Sequence, residues 1–152
     1  MSAPLCCGKP ARLTSGGEVY PHRPDLRDKA IWLCDDCRAY VGCPPGTTDP
    51  LGFPANAELR AARMKLHNLR LDPIWKNAWR IYQDVDAKSR KNITRTARTR
   101  TYEFLADRLG MTRDQCHTGV FDIETCRRAW RALDGVTYPQ VREWAKARKE
   151  AA

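Results

Sequence analysis

The stretch Trp32-Leu-Cys-Asp-Asp-Cys-Arg-Ala-Tyr-Val-Gly-Cys43 decides how the first third of this chain is read. Cys34 and Cys37 stand in Cys-x-x-Cys spacing, which is half of a tetrahedral thiolate site. Short apolar runs surround them: Ala11–Leu13, Val19–Tyr20, Ile31–Leu33 and Tyr40–Val41. These read as strands, with Ser15-Gly16-Gly17 as a hairpin turn between the first two. Residues 1–55 hold five of the seven cysteines and most of the prolines and glycines, and no helix-period stripe. Their apolar content is too thin to fold unaided, and a structural metal is the usual remedy.

The other half of the site belongs near the N-terminus, where Cys6-Cys7-Gly8 stands instead of a second Cys-x-x-Cys. Between Cys7 and Cys34 lie 26 residues, room for a hairpin and a loop. Gly8 lets backbone N–H groups approach a thiolate. Cys7, Cys34 and Cys37 are therefore the first three expected ligands. Cys6 leads for the fourth place, with Cys43 and then His22 as alternates. Neighbouring side chains in an extended strand point to opposite faces, so Cys6 and Cys7 need a tight turn to share one ion. Four protein ligands make a closed, structural Zn2+ site with no open position for chemistry.

From residue 56 the pattern turns helical. Asn56 caps a helix with Leu59, Ala62, Leu66 and Leu69 on one face. Asp72-Pro73 restarts it, Asp as N-cap, with Ile74, Trp75, Ala78, Trp79, Ile81, Tyr82 and Val85 facing the core. Lys88–Arg100 reads as a linker running into a helix that carries Tyr102, Leu105, Ala106 and Leu109 and stops at Gly110. Thr112-Arg-Asp-Gln115 is a capping box. Asp122 caps a helix with Ile123, Cys126, Ala129, Trp130 and Leu133, and Thr137-Tyr-Pro139 opens a last one with Val141, Trp144 and Ala145. The expected fold is α+β: a small zinc-ribbon-like β module over 1–55, then an α-helical domain of about five helices over 56–152.

Charge is unevenly placed. Of a net +9, residues 56–100 contribute twelve cations against four anions, whereas 1–55 balance six against six. A clustered excess of this kind is the electrostatic footprint of a polyanion binder. Lys88, Arg90, Lys91, Arg95, Arg98 and Arg100 are the candidates for phosphate contact, with Thr94, Thr96 and Thr99 adding hydroxyls. Trp75, Trp79 and Trp130 sit at helical spacing and read as core, not as base-stacking platforms. A second cluster, Cys116, His117 and Cys126 with His67, offers a further metal or Cys/His site, although packing and loop capping explain these residues as well. His67-Asn68 with Asp72 is a weak nuclease pattern.

Several of these motifs occur together in one known family. Cys7-Gly8, Glu18-Val-Tyr20, His22-Arg23, Ile31–Cys37, Ala39–Cys43, Gly46-Thr47, Pro50-Leu-Gly52 and Ala55–Arg60 carry the likeness, as do His67, Asp72–Trp75, Cys116–Asp122 and Cys126. In this combination the chain resembles an uncharacterised zinc-finger-containing domain family of bacteria, phages and prophages. The resemblance implies zinc binding by the N-terminal module and no established activity. That family opens with Cys-x-x-Cys-Gly. Pro4 stands here where its first cysteine falls, which makes Cys6 the substitute.

No run of eighteen apolar residues exists, so no membrane span is expected. The opening Met1–Gly8 lacks the charged and apolar regions of a signal peptide, and the odd cysteine count argues against a disulfide framework. A reducing cytoplasm is the expected location, that of the host if the chain is phage-encoded. The expected function is that of a non-enzymatic zinc-binding accessory protein that contacts DNA or RNA through 88–100. A protein–protein interaction module acting on a host complex is the alternative, and a metal-dependent nuclease or other enzyme comes last.

Overall fold

The computed structural model describes residues 2–152. The chain is α+β, with small antiparallel sheets first and five helices after them. It divides into two compact units, the first ending at Ala61 and the second running from Ala62 to Ala152.

In the first unit β1 (Leu5–Cys6) and β2 (Lys9–Pro10) form a two-stranded ribbon, with Cys6 opposite Lys9. A three-stranded sheet follows, built from β3 (Arg12–Ser15), β4 (Ala30–Leu33) and β5 (Tyr40–Gly42) in the order β3-β4-β5. The expected hairpin at Ser15-Gly16-Gly17 does not form. Gly16–Val19 coils into a single helical turn, α1, and the chain returns to β3 only at Ala30, the partner of Ser15. Gly16 makes this possible, because a Cβ there would sit 1.7 Å from the carbonyl oxygen of Leu26. Ile31, Leu33 and Val41 fill a small core with Ala11, Ala39 and Ala55. Polar ties supplement it. The Tyr20 and Tyr40 hydroxyls are 2.6 Å apart, and the Arg60 guanidinium lies 3.4 Å from the centre of the Tyr40 ring while donating to the Tyr40 carbonyl.

α2 (Ala57–Leu66) begins as expected, with the Asn56 side chain accepting from the Leu59 N–H at 2.9 Å. It does not end where expected. A π turn over His67–Leu71 carries the chain straight into α3 (Asp72–Lys76). The extra residue per turn shifts the apolar stripe, which leaves Leu69 exposed and buries Leu71. Asp72 is thus inside a helix and not its cap. The expected long helix also breaks at Asn77, and Ala78–Ile81 forms a separate 3-10 turn.

Lys88–Arg100 is no linker. It belongs to α4 (Ala87–Leu109), the longest helix, capped by Asp86 accepting from Ser89 N–H at 2.7 Å and closed by Gly110 at φ 67°. Within it Thr94, Thr99 and Thr101 turn their hydroxyls back onto the carbonyls of Arg90, Arg95 and Ala97, so these hydroxyls are satisfied inside the helix. Asp122 caps α5 (Ile123–Ala132), and Thr137 with Gln140 forms a capping box for α6 (Tyr138–Ala151). Leu66, Leu71, Leu105, Phe121, Leu133 and Val141, with Thr101 and Cys116, are among the fully enclosed side chains of this unit. Trp75, Trp79 and Trp130 are only half-buried. Cations stand over their rings, Arg90 at 3.7 Å from Trp79 and Arg70 at 4.0 Å from Trp130.

Candidate metal centre and basic face

Two turns build the cysteine cluster. Cys7 and Gly8 are the two central residues of the β1–β2 hairpin, at φ 53° and 74°. Positive φ at both positions is the type I′ hairpin, whose second position favours glycine. Leaving extended geometry at Cys7 removes the strand alternation that would aim neighbouring side chains apart, so Cys6 and Cys7 reach one place. The second turn follows β4. Cys34 N–H donates to the Ala39 carbonyl at 2.8 Å, Arg38 N–H donates back to the Cys34 carbonyl at 2.9 Å, and Arg38 is at φ 62°. This loop returns Cys37 beside Cys34.

The sulfurs of Cys6, Cys7, Cys34 and Cys37 all lie within 4.8 Å of one another, and those of Cys6 and Cys37 are 3.5 Å apart. A tetrahedron with Zn–S bonds of about 2.3 Å has sulfurs about 3.8 Å apart, so the donor set fits such an ion in number, type and spacing. Electrostatics within the cluster are uneven. The Cys37 backbone N–H, helped by its thiol and by the Asp36 N–H, pulls the Cys34 thiol down to about 7. Burial, then the thiols of Cys37 and Cys34, push Cys6 up. Cys7 is raised chiefly by the Cys37 and Cys34 thiols. Four thiolates packed this closely repel one another, and a divalent cation relieves that cost.

Salt bridges brace the turns. Arg12 on β3 reaches Asp35 at 2.9 Å and Glu18 at 2.8 Å, and Lys9 reaches Asp36 at 3.0 Å. Glu18 also accepts from the Thr14 hydroxyl. Arg12 first, then Thr14, hold the Glu18 carboxyl down at about 2.

Cys43 lies elsewhere. Ile31 pairs with Gly42 and Leu33 with Tyr40, so Cys43 leaves the ladder at the end opposite Cys34. Four residue steps, about 13 Å along a strand, separate those ends. Cys43 instead lines a cleft of 470 Å³ with Lys29, Pro44 and Thr48. His22 is exposed in the turn after α1 and is not one of the four.

The sequence of residues 2–136 matches the family described as a zinc-finger-containing domain. The chain belongs to that family. No curated protein and no solved structure matches it.

In the second unit, His67, Cys116, His117 and Cys126 do not join into a metal-ligating group among the described residues. His117 Nδ1 accepts from the Gly119 N–H at 2.9 Å, which makes it a loop cap. His67 is spoken for on both ring nitrogens, by Asp72 Oδ1 at 3.3 Å and by the Thr118 hydroxyl at 2.7 Å. Cys116 and Cys126 are buried, and burial pushes the Cys116 thiol up to about 11. That leaves it protonated and a poor nucleophile at neutral pH.

The six basic candidates separate on α4. At about 100° per residue, Lys88, Lys91, Arg95 and Arg98 fall within an arc of about 80°. All four are exposed. Arg90 points to another side and covers Trp79, and half-buried Arg100 donates to the Tyr138 hydroxyl at 3.2 Å. Arg113 extends the stripe from outside the helix, since it and Arg98 both stand over the Tyr102 ring, at 4.9 and 5.4 Å. Sequence reasoning missed Arg113 because only the fold brings it there. No helix among the described residues is long and apolar enough to cross a membrane.

Proposed function

We propose that Cys6, Cys7, Cys34 and Cys37 hold a structural Zn2+ and that the second unit contacts nucleic acid through Lys88, Lys91, Arg95 and Arg98. The chain is then a non-enzymatic binding protein that works as an accessory factor in the bacterial or phage-infected cytoplasm. One observation carries the nucleic-acid reading. Four exposed cations line one face of a helix that has no acidic residue from Ala87 to Thr101. Lysine and arginine at such a face displace condensed counterions from phosphates, which gives salt-sensitive affinity. The raised Cys116 thiol and the capping role of His117 speak against a cysteine–histidine catalyst.

A salt titration of binding tests this. Affinity should fall steeply with salt, and Lys91→Gln with Arg95→Gln should reduce the logarithmic slope by about two. Undetectable binding at low salt ends the reading. Metal content per chain tests the zinc site, with Cys6→Ser expected to lose the ion and Cys43→Ser to keep it. A second reading draws on the exposed Leu5, Leu13 and Leu51 of the first unit, which suit a protein partner on a host complex. A partner that survives nuclease treatment in pull-downs would favour it.

A further inference from the structure

We infer that the partner of α4 is duplex DNA, entered through the major groove by the exposed first half of the helix. This rests on the nucleic-acid reading above and adds the form of the nucleic acid and the mode of contact. The first half of α4 is packed along one line only. Ala97 and Thr101 are buried on that line, while Lys88, Ser89, Lys91, Asn92, Arg95, Thr96, Arg98 and Thr99 are all exposed. Two stripes share the exposed side. The basic stripe runs about 15 Å along the axis from Lys88 to Arg98. Directly beside it lie Asn92 and Thr96, within an arc of about 40°. Arg95 reaches across to the Asn92 side-chain oxygen at 3.3 Å, so the two stripes meet there.

That division matches the two tasks of a recognition helix. Cations on a flank meet one phosphate backbone and set register, while amide and hydroxyl groups beside them face base edges. A helix of about 10–12 Å diameter fits the B-form major groove, about 12 Å wide, where asparagine pairs with adenine and arginine with guanine. The A-form RNA major groove is too narrow and deep for side chains on such a rod. Single strands are generally held by aromatic platforms. Here Trp79 is covered by Arg90 at 3.7 Å, and Tyr102 stands under Arg98 and Arg113. The exposed half of α4, Ala87–Thr99, carries no aromatic residue of its own.

The test measures anisotropy of the full chain with a 20-base-pair DNA duplex, the RNA duplex of the same sequence and the single DNA strand, alongside dimethyl sulfate footprinting of bound DNA. The DNA duplex should bind at least about tenfold tighter than either competitor, with guanine N7 atoms protected in the major groove. Asn92→Ala with Thr96→Ala should shrink the preference for DNA and leave the salt slope unchanged. Equal affinity for all three, tighter binding of RNA or single strand, or unprotected N7 atoms would overturn the inference while phosphate binding by α4 stood. Absence of binding to all three would overturn both.

Discussion

The two units hold themselves together by different means. In the second, the core is filled mainly by large apolar side chains from α2 to α6, among them Leu66, Leu105 and Val141. In the first, strands are two to four residues long and three of the buried apolar residues are alanines. Its shape depends on two cysteine-bearing turns, on Arg12 bridging Glu18 and Asp35, and on a pair of tyrosine hydroxyls. A core made of apolar volume tolerates an exposed helix half, and α4 uses that tolerance to present its basic face. On the proposed zinc site, the first unit keeps strands this short by depending on an ion.

Stripping the ion should give the largest effect. Structural zinc contributes on the order of 10 kcal/mol to folding, comparable with the whole stability of a small domain. Chelation, or Cys34→Ser, is expected to unfold the first unit while the helical signal of the second persists. Circular dichroism and the dispersion of amide resonances from β3 to β5 read the two separately. Protons compete with the ion for thiolate, so lowering pH below the thiol range should release metal and mimic chelation. A first unit that keeps its dispersed resonances without metal would break the comparison.

Phe121→Ala probes the opposite case. The ring is 2% exposed, and Arg63 donates twice to the Phe121 carbonyl, at 3.0 and 2.8 Å. Truncating it should cost the second unit about 3–5 kcal/mol in denaturant unfolding and leave metal content unchanged.

How much of this was legible in the sequence follows the same division. Cys34 and Cys37 announced themselves by spacing, and Cys6 led for the fourth place, standing in for the family cysteine whose position Pro4 occupies, because a thiolate site depends on few residues. The strands at Ile31–Leu33 and Tyr40–Val41 and the caps at Asn56, Asp122 and Thr137 were local signals, and the structure carries them. The failures were non-local. Ser15-Gly16-Gly17 looked like a hairpin because turn chemistry cannot show that Leu26 will press against Gly16. Lys88–Arg100 looked like a linker because its helix is stabilised by its cap and by packing along the line of Ala97 and Thr101, not by an amphipathic stripe. The π turn at His67–Leu71 moved the α2 face by one residue, which no periodicity of the sequence forecast.

Gly16→Ala sharpens the claim that the first unit has close backbone fits despite its small core. The added methyl meets the Leu26 carbonyl oxygen at 1.7 Å, and backbone cannot step aside as a side-chain tip does. A loss of about 3 kcal/mol in the metal-loaded protein is expected from thermal unfolding of that unit. An unchanged midpoint would mean that the α1 turn is not part of its fold.

The smallest effect belongs to the cap of α5. Asp122 accepts from Thr125 N–H at 2.7 Å, and contacts with Thr125, the side chain first and then the backbone, hold its carboxyl below the usual aspartate range. Because the folded form is the stronger acid, its contribution is complete above the ordinary aspartate range and drains as pH falls through the lowered value. Asp122→Ala should cost the second unit about 1 kcal/mol at neutral pH. Asp122→Asn keeps an acceptor for Thr125 and should lose less, while removing the acid dependence that the wild-type carboxylate contributes. Neither change should alter metal content, since α5 lies outside the unit that carries the four cysteines.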